Sequence, residues 1–186
     1  MTIEVEPGED QRGGRARETL FRVTIRNQID QIAIADNKAN MIISINTIII
    51  SLVVAFMGYG LSGPYLNGSQ ITIPFTILLV ASTFSAIFSI LAARPRFRNA
   101  PPNFKTSSLL YFGNFKHMPL TEYIEEMEDL ISSRKAIYRN LIIDIYNYGK
   151  ILDKKYKMLS VSYTIFLIGI ILTVISYFTM FIINLQ

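Results

Sequence analysis

Three long apolar runs set the pattern of this chain, at residues 41–60, 71–93 and 159–185. Each run supplies the roughly 20 apolar residues that a helix needs to cross a bilayer. The stretch between the first two runs, 61–70, is short and uncharged, whereas 94–158 is long and charged. The pattern therefore predicts an all-α integral membrane protein with transmembrane helices at 41–60, 71–93 and 159–183.

Helical patterns also lead into the first and third spans. Residues 17–40 contain neither Pro nor Gly and carry charges at steps of four, which predicts a cytoplasmic helix continuous with span 1. The segment 94–158 predicts a cytoplasmic helical module, in which Thr121 is the N-cap of a helix that runs into span 3. Gly149 in that helix indicates a kink or a close contact. Residues 1–16 are polar and contain glycines, which is typical of a disordered tail.

Small and polar residues form a stripe along span 1, at steps of three and four. The stripe comprises Asp36, Asn40, Ser44, Thr47, Ser51, Ala55 and Gly58. It has two interpretations: close packing between membrane helices, or a water-accessible face in an oligomer. Asn46 lies on another face, and because a buried amide is costly in hydrocarbon, we expect it to meet another helix. Similar faces around Ser85 on span 2 and Gly169 on span 3 predict further close packing.

The distribution of charge predicts the topology. All Lys and Arg residues fall within 12–38 and 94–157. The positive-inside rule then places the N-terminus and residues 94–158 in the cytoplasm and the C-terminus outside. The net charge of +4 is interpreted as the basic flanks of membrane spans, so no nucleic-acid partner is expected.

The sequence lacks the chemistry of an enzyme. It contains no cysteine and a single histidine, His117, so neither a thiolate cluster nor a histidine cluster is available for a metal. No nucleophile elbow, P-loop or zinc-protease motif occurs. We therefore predict no catalytic residues, no metal and no resident cofactor, and we expect binding, gating or membrane disruption instead.

Two features of the cytoplasmic module are candidates for ligand binding. Arg94 and Arg96 follow span 2, where their guanidinium groups suit either lipid phosphates or an anionic ligand. The aromatic turn 112–115, FGNF, suits either a hydrophobic plug that docks the loop or a ligand site. In the second interpretation, Phe112 stacks on a flat base and Asn114 forms hydrogen bonds with it.

Three segments carry a resemblance to a known family. The run 35–46, ADNKANMIISIN, lies at the edge of span 1, and the cytoplasmic module contains FGNF at 112–115 and DIY at 144–146. These segments resemble those of the Pycsar-type transmembrane effectors, and the resemblance extends over about residues 20–180. It implies a bacterial antiphage effector of the inner membrane. In such systems a partner cyclase makes cyclic UMP or cyclic CMP, and the effector impairs the membrane and causes abortive infection.

A cyclic pyrimidine mononucleotide is thus the expected regulatory ligand, and a homo-oligomer in the bilayer is the expected assembly. Its phosphate needs cations or amide donors, and its base needs an aromatic or amide partner. Such residues at the bases of the spans and in the aromatic turn are predicted to bind it: Asn37, Lys38, Asn40, Arg94, Arg96, Phe112, Asn114 and Lys155. The competing interpretation is that Asp36 and Lys38 form interhelical ion pairs. The competing function is a membrane anchor or scaffold for a signalling partner, without a pore.

Overall fold

This computed structural model describes residues 7–60, 69–95 and 108–184, and the regular structure in these ranges is helical. The helices are α1 (Pro7–Gly60), α2 (Ser69–Ala93), α3 (Phe112–Phe115), α4 (Leu120–Ser132) and α5 (Arg134–Asn184). Among the described residues, α1, α2 and α5 are long and apolar enough to cross a membrane. The predicted all-α fold with three transmembrane helices is therefore confirmed.

Helix α1 begins earlier than the sequence suggests. Its first residue is Pro7, so residues 7–16 are helical where the sequence predicts a disordered tail, and residues 1–6 lie outside the described part. Proline suits the first position of a helix because the N–H that it lacks has no intrahelical acceptor there. Gly13 and Gly14 each cost only about 1 kcal/mol relative to alanine, so the helix continues through them.

Helix α4 starts one residue before the predicted N-cap. Thr121 lies inside the helix, so the prediction that it is the N-cap is wrong. Pro119 takes that position with an extended backbone and no side-chain cap, and its carbonyl accepts a hydrogen bond from the N–H of Tyr123 at 3.0 Å. The rigid proline ring defines the start of α4 without the hydroxyl that the sequence pattern suggests.

A break separates α4 from α5. Ser133 has an extended backbone, with φ −120° and ψ 111°, so the continuous helix predicted from Thr121 starts at Arg134 instead. The Ser133 hydroxyl accepts a hydrogen bond from the N–H of Ala136 at 3.4 Å, as serine does at helix starts. Helix α5 then runs without interruption through Gly149, where an added Cβ would make only an ordinary contact with Gln28.

The chain divides into two compact units, which we describe separately. Unit 1 comprises Met1–Ile32 and Pro95–Leu152, and unit 2 comprises Ala33–Arg94 and Asp153–Gln186. Both α1 and α5 contribute residues to each unit. Unit 1 thus contains α3, α4 and the first parts of the two long helices, and unit 2 contains the apolar spans.

Aromatic contacts and the loop before α3 hold unit 1 together. Phe21 on α1 stacks on Tyr138 on α5, with ring centroids 5.5 Å apart. The loop before α3 is fixed to α5 because the N–H of Leu109 donates to Oδ1 of Asn140 at 3.0 Å. Leu130 of α4 is buried in this unit.

Small side chains let the helices of unit 2 approach one another closely. Ala39, Ala92 and Leu159 form a buried cluster that joins α1, α2 and α5. Gly169 on α5 is buried against Ala81 on α2, so closely that a Cβ at Gly169 would overlap the Cβ of Ala81. This confirms the expected packing face around Gly169, and small residues serve here as they do in membrane helices generally.

Candidate functional site

One buried lysine links the three membrane helices of unit 2. The side chain of Lys155 on α5 is only 6% exposed, and its Nζ forms an ion pair with Asp36 on α1. The same Nζ donates a hydrogen bond to the backbone carbonyl of Ala92, at the end of α2, at 3.1 Å. A carbonyl in the last turn of a helix lacks an intrahelical donor and carries partial negative charge, so it favours a cation. We call Asp36, Lys155 and the Ala92 carbonyl the lysine junction.

A network of fully buried polar side chains lies further along the same helices. Nδ2 of Asn46 donates to Oγ of Ser85 at 2.9 Å, which joins α1 to α2. The Ser85 and Ser89 hydroxyls lie 3.1 and 2.7 Å from Oγ of Ser162 on α5. Ser162 in turn donates to the carbonyl of Ser85 at 2.7 Å. The expectation that Asn46 meets another helix is confirmed, and polar pairing replaces the water that hydrocarbon excludes.

Two buried atoms of this region have no hydrogen-bond partner among the residues that the structure describes. They are Oδ1 of Asn46 and Oγ of Ser82, and both side chains are fully buried. An unsatisfied polar group in a low-dielectric interior costs on the order of 1–3 kcal/mol. Each of these two atoms therefore makes this packing of the three helices less stable than it would be with a hydrogen-bond partner.

The predicted ligand residues that the structure describes are divided between the two units. Asn37, Lys38, Asn40 and Arg94 are exposed, and all four belong to unit 2. Lys155 also belongs to unit 2, but it is buried and engaged with Asp36 and Ala92. Arg96 and the side chain of Phe112 lie outside the described residues.

Asn114 belongs to unit 1, where it stabilises its own loop. Its Nδ2 donates to the carbonyl of Ser108 at 2.5 Å. It also lines a cavity of about 160 Å³ together with Glu126 and Asp129. Two carboxylates disfavour a phosphate in that cavity. Of the interhelical ion pairs that the sequence suggested for Asp36 and Lys38, the structure contains that of Asp36, which pairs with Lys155 on α5.

A comparison with protein families identifies the family of this chain. The family model described as Pycsar effector protein domain matches residues 20–182. The chain belongs to the Pycsar effector family. No curated protein and no solved structure gives a significant match. Membership identifies the protein as a membrane effector of antiphage defence, of a non-enzymatic kind, that works in a system with a cyclase.

The DIY segment at 144–146 contacts the loop that precedes the FGNF turn in unit 1 of this Pycsar effector. The buried carboxyl of Asp144 is hydrogen-bonded by Ser108, in the loop that precedes the FGNF turn. Burial raises the pKa of Asp144, and this hydrogen bond opposes the rise. Burial also raises the pKa of Tyr148, as do the neighbouring Asp144 and Tyr111. Asp144 thus fixes the loop to α5, a role that the sequence did not reveal because the loop partner is distant in the chain.

The small and polar stripe of span 1 points away from the helix contacts within this effector chain. Its residues from Asn40 to Gly58 are exposed, whereas the buried face carries Ala39, Asn46 and Val53. The hydroxyls of Ser44 and Thr47 bond to carbonyls of their own helix at 3.0 and 2.8 Å. Within one chain, therefore, the stripe is free to face lipid or another copy of the effector.

The substitutions Ser44→Leu and Ser51→Leu test whether the stripe contacts another copy of the effector. Each adds bulk to the stripe, so each should weaken assembly of the effector on the order of tenfold while leaving the fold of the chain intact. The measurement is the oligomer distribution in detergent after chemical cross-linking. Leu52→Phe, which adds bulk at an exposed position on another face of the helix, is the matched control. Parental assembly in both serine variants would show that the stripe faces lipid.

Proposed function

We propose that a cyclic pyrimidine mononucleotide, cyclic UMP or cyclic CMP, triggers this effector to impair the bacterial inner membrane and cause abortive infection. The partner cyclase supplies the nucleotide, and the effector acts as a homo-oligomer. Its N-terminus and residues 94–158 face the cytoplasm, where the nucleotide is made, and its C-terminus faces outside. The family membership of the chain supports the antiphage role and the membrane setting of the proposal.

The lysine junction is the observation that carries the proposal. A single ammonium group, that of Lys155, holds α1, α2 and α5 together. Any ligand-induced shift of one helix therefore alters contacts with the other two. A ligand changes an equilibrium between two packings only by binding one of them more tightly. The unsatisfied Asn46 and Ser82 atoms supply a reason for a second packing to lie close in free energy.

Dye release from liposomes tests the trigger and the membrane effect together. The full chain is reconstituted with a trapped fluorescent dye, and cyclic UMP, cyclic CMP, linear UMP and linear CMP are added separately. We expect one cyclic nucleotide to release the dye and its linear counterpart to release little. The linear nucleotides are the matched controls, because they share the base and sugar.

Two other outcomes would contradict the proposal. If a cyclic nucleotide binds the reconstituted chain but releases no dye, the chain is an anchor or scaffold and does not impair the membrane. If neither cyclic nucleotide binds, the trigger is a different molecule. Equilibrium binding measured on the same liposomes separates these two cases.

A further inference from the structure

Unit 1 contains a wide cleft between α1 and the first turns of α5. Its volume is about 620 Å³. The lining includes four cations, Arg17, Arg134, Lys135 and Arg139, together with Tyr138 and Ile142. Ligand sites for small molecules usually have volumes of about 300–1,000 Å³ and combine apolar walls with a few charged groups. We call this feature the cationic cleft.

The positive charge of the cationic cleft is uncompensated. No carboxylate is among the described residues that line it. Within the described part of the chain, none of the four cations forms an ion pair, and Arg17 donates only to the carbonyl of Gly13 at 3.1 Å. The adjacent carboxylate of Glu18 is engaged by Arg22 at 2.6 Å. The wall of the cleft is mostly apolar, so the four cations line it mainly with their aliphatic stems. An anion at the opening of the cleft would meet their unpaired charged groups.

The start of α5 adds to the positive electrostatic potential of the cationic cleft. Arg134 and Lys135 lie in its first turn, which contains no acidic residue. The N-terminus of a helix carries about half a positive charge, so cations there are unfavourable by some tenths of a kcal/mol each. An anion bound in the cleft would relieve this repulsion and also accept hydrogen bonds from N–H groups that lack intrahelical acceptors.

An aromatic ring lies among the cations. Tyr138 is stacked on Phe21, with an interplanar angle of 24°, so one face of its ring is held by α1. Ile142 follows one turn later on α5 and adds apolar surface. A ring beside guanidinium groups suits a ligand that has both a phosphate and a flat base, since bases stack on aromatic side chains.

The geometry points to the cationic cleft as the binding site for a mononucleotide, with Arg134, Lys135 and Arg139 on its phosphate and Tyr138 on its base. The identification of that ligand as cyclic UMP or cyclic CMP rests on the proposed function. The cleft suits the ligand better than the cavity beside Asn114, which is smaller and lined by carboxylates. It also differs from the site predicted around Lys38 and Arg94, where the buried Lys155 is already engaged.

The position of the cleft along the chain links binding to the membrane. Arg17 lies on α1 and Arg139 on α5, and both helices continue unbroken into apolar spans. Arg17 lines the same cleft, so a ligand that is held by Arg139 and also reaches Arg17 joins two helices that form spans. Both residues lie well before the predicted starts of those spans, at residues 41 and 159, which favours a soluble phosphate over a lipid headgroup as the source of the anion.

Calorimetric titration of the full chain in detergent, with cyclic UMP and with cyclic CMP, tests this inference. Arg139→Gln and Arg134→Gln should each weaken binding on the order of tenfold, because each removes a charge-assisted contact. Tyr138→Leu should weaken it by a similar factor, and Tyr138→Phe should retain it, because the phenyl ring still stacks. The matched control is Arg26→Gln, an exposed α1 arginine outside the cleft, which should bind like the parent. Thermal unfolding of every variant verifies the fold.

The outcomes distinguish this inference from the proposed function. If the parent binds a cyclic nucleotide and the folded cleft variants bind it equally well, the cleft is not the site, and the proposed function stands. If only Lys38→Ala or Arg94→Ala weakens binding, the ligand lies at the bases of the spans and the inference is overturned. If the parent binds neither nucleotide, the proposed function fails first. If Arg134→Gln and Arg139→Gln reduce only binding to phosphatidylglycerol vesicles, the cleft holds lipid headgroups, and the inference is wrong.

Discussion

Replacing Asp36 with alanine should destabilise the effector more than replacing its partner Lys155 with methionine. The two side chains form one ion pair, but the side chain of Lys155 is 6% exposed and that of Asp36 is 37% exposed. Asp36→Ala leaves a buried ammonium with only the Ala92 carbonyl, and an unpaired buried charge costs about 3–5 kcal/mol. Lys155→Met removes the buried charge and leaves a carboxylate that water can reach, so its cost should stay below about 1.5 kcal/mol.

Unfolding in detergent by increasing concentrations of dodecyl sulfate measures both effects. The double variant Asp36→Ala/Lys155→Met should be more stable than Asp36→Ala alone, because it no longer buries an unpaired charge. Lys157→Met is the matched control, since Lys157 is exposed and pairs with Asp153 on its own helix. Equally small losses from Asp36→Ala and Lys155→Met would show that the lysine junction is hydrated and does not hold the three helices together.

Gly169→Ala should cost about 1–3 kcal/mol, although it adds a single methyl group. The new Cβ would overlap that of Ala81, and the Cα of Ala81 lies only 3.7 Å away. Neither atom belongs to a flexible side chain, so α2 and α5 must separate. Separation would stretch the hydrogen bonds between Ser85, Ser89 and Ser162 on the same two helices.

Two further variants test whether this close approach is the cause. Gly58→Ala is the matched control, because an added Cβ at Gly58 meets nothing within 4 Å. It should leave stability unchanged or raise it slightly, since alanine favours a helix more than glycine does. Ala81→Gly combined with Gly169→Ala should recover most of the loss. If the combination fails to recover stability, the loss has another origin than the contact between these two positions.

The spans were predictable from sequence because length and hydrophobicity alone determine what can cross a bilayer. Asn46 was predictable as a contact residue for a similar reason: an amide in hydrocarbon needs a partner. Which partner it finds depends on the register between α1 and α2, and nothing local to Asn46 identifies Ser85. The break at Ser133 was missed because a single residue with good capping chemistry competes with an otherwise continuous helical pattern.

The candidate sites were also only partly predictable from sequence, because their contacts join residues that are distant in the chain. The sequence predicts only that Lys155 is a cation at the edge of the membrane. The fold shows that its ammonium group is bound by Asp36 and by a carbonyl at the end of α2. The cationic cleft could not be predicted from the sequence, because Arg17 and Arg139 are far apart in the chain and neither belongs to a recognisable motif. One feature of the sequence did indicate the cleft. Cations occupy the first turn of α5, whereas the N-terminal turn of a helix favours acidic residues.

The uninterrupted course of α1 has a mechanical consequence. Helices bend sharply at Pro, at Gly/Ser pairs or at local distortions, and residues 17–57 of α1 contain neither Pro nor Gly. Such a rod transmits rotation about its own axis better than bending. One residue corresponds to about 100° of rotation, so a roll of that size would turn Asn46 out of the core and bring the adjacent Thr47 towards it. A torque applied at the N-terminal end of α1 would thus change which side chains of the span face its neighbours.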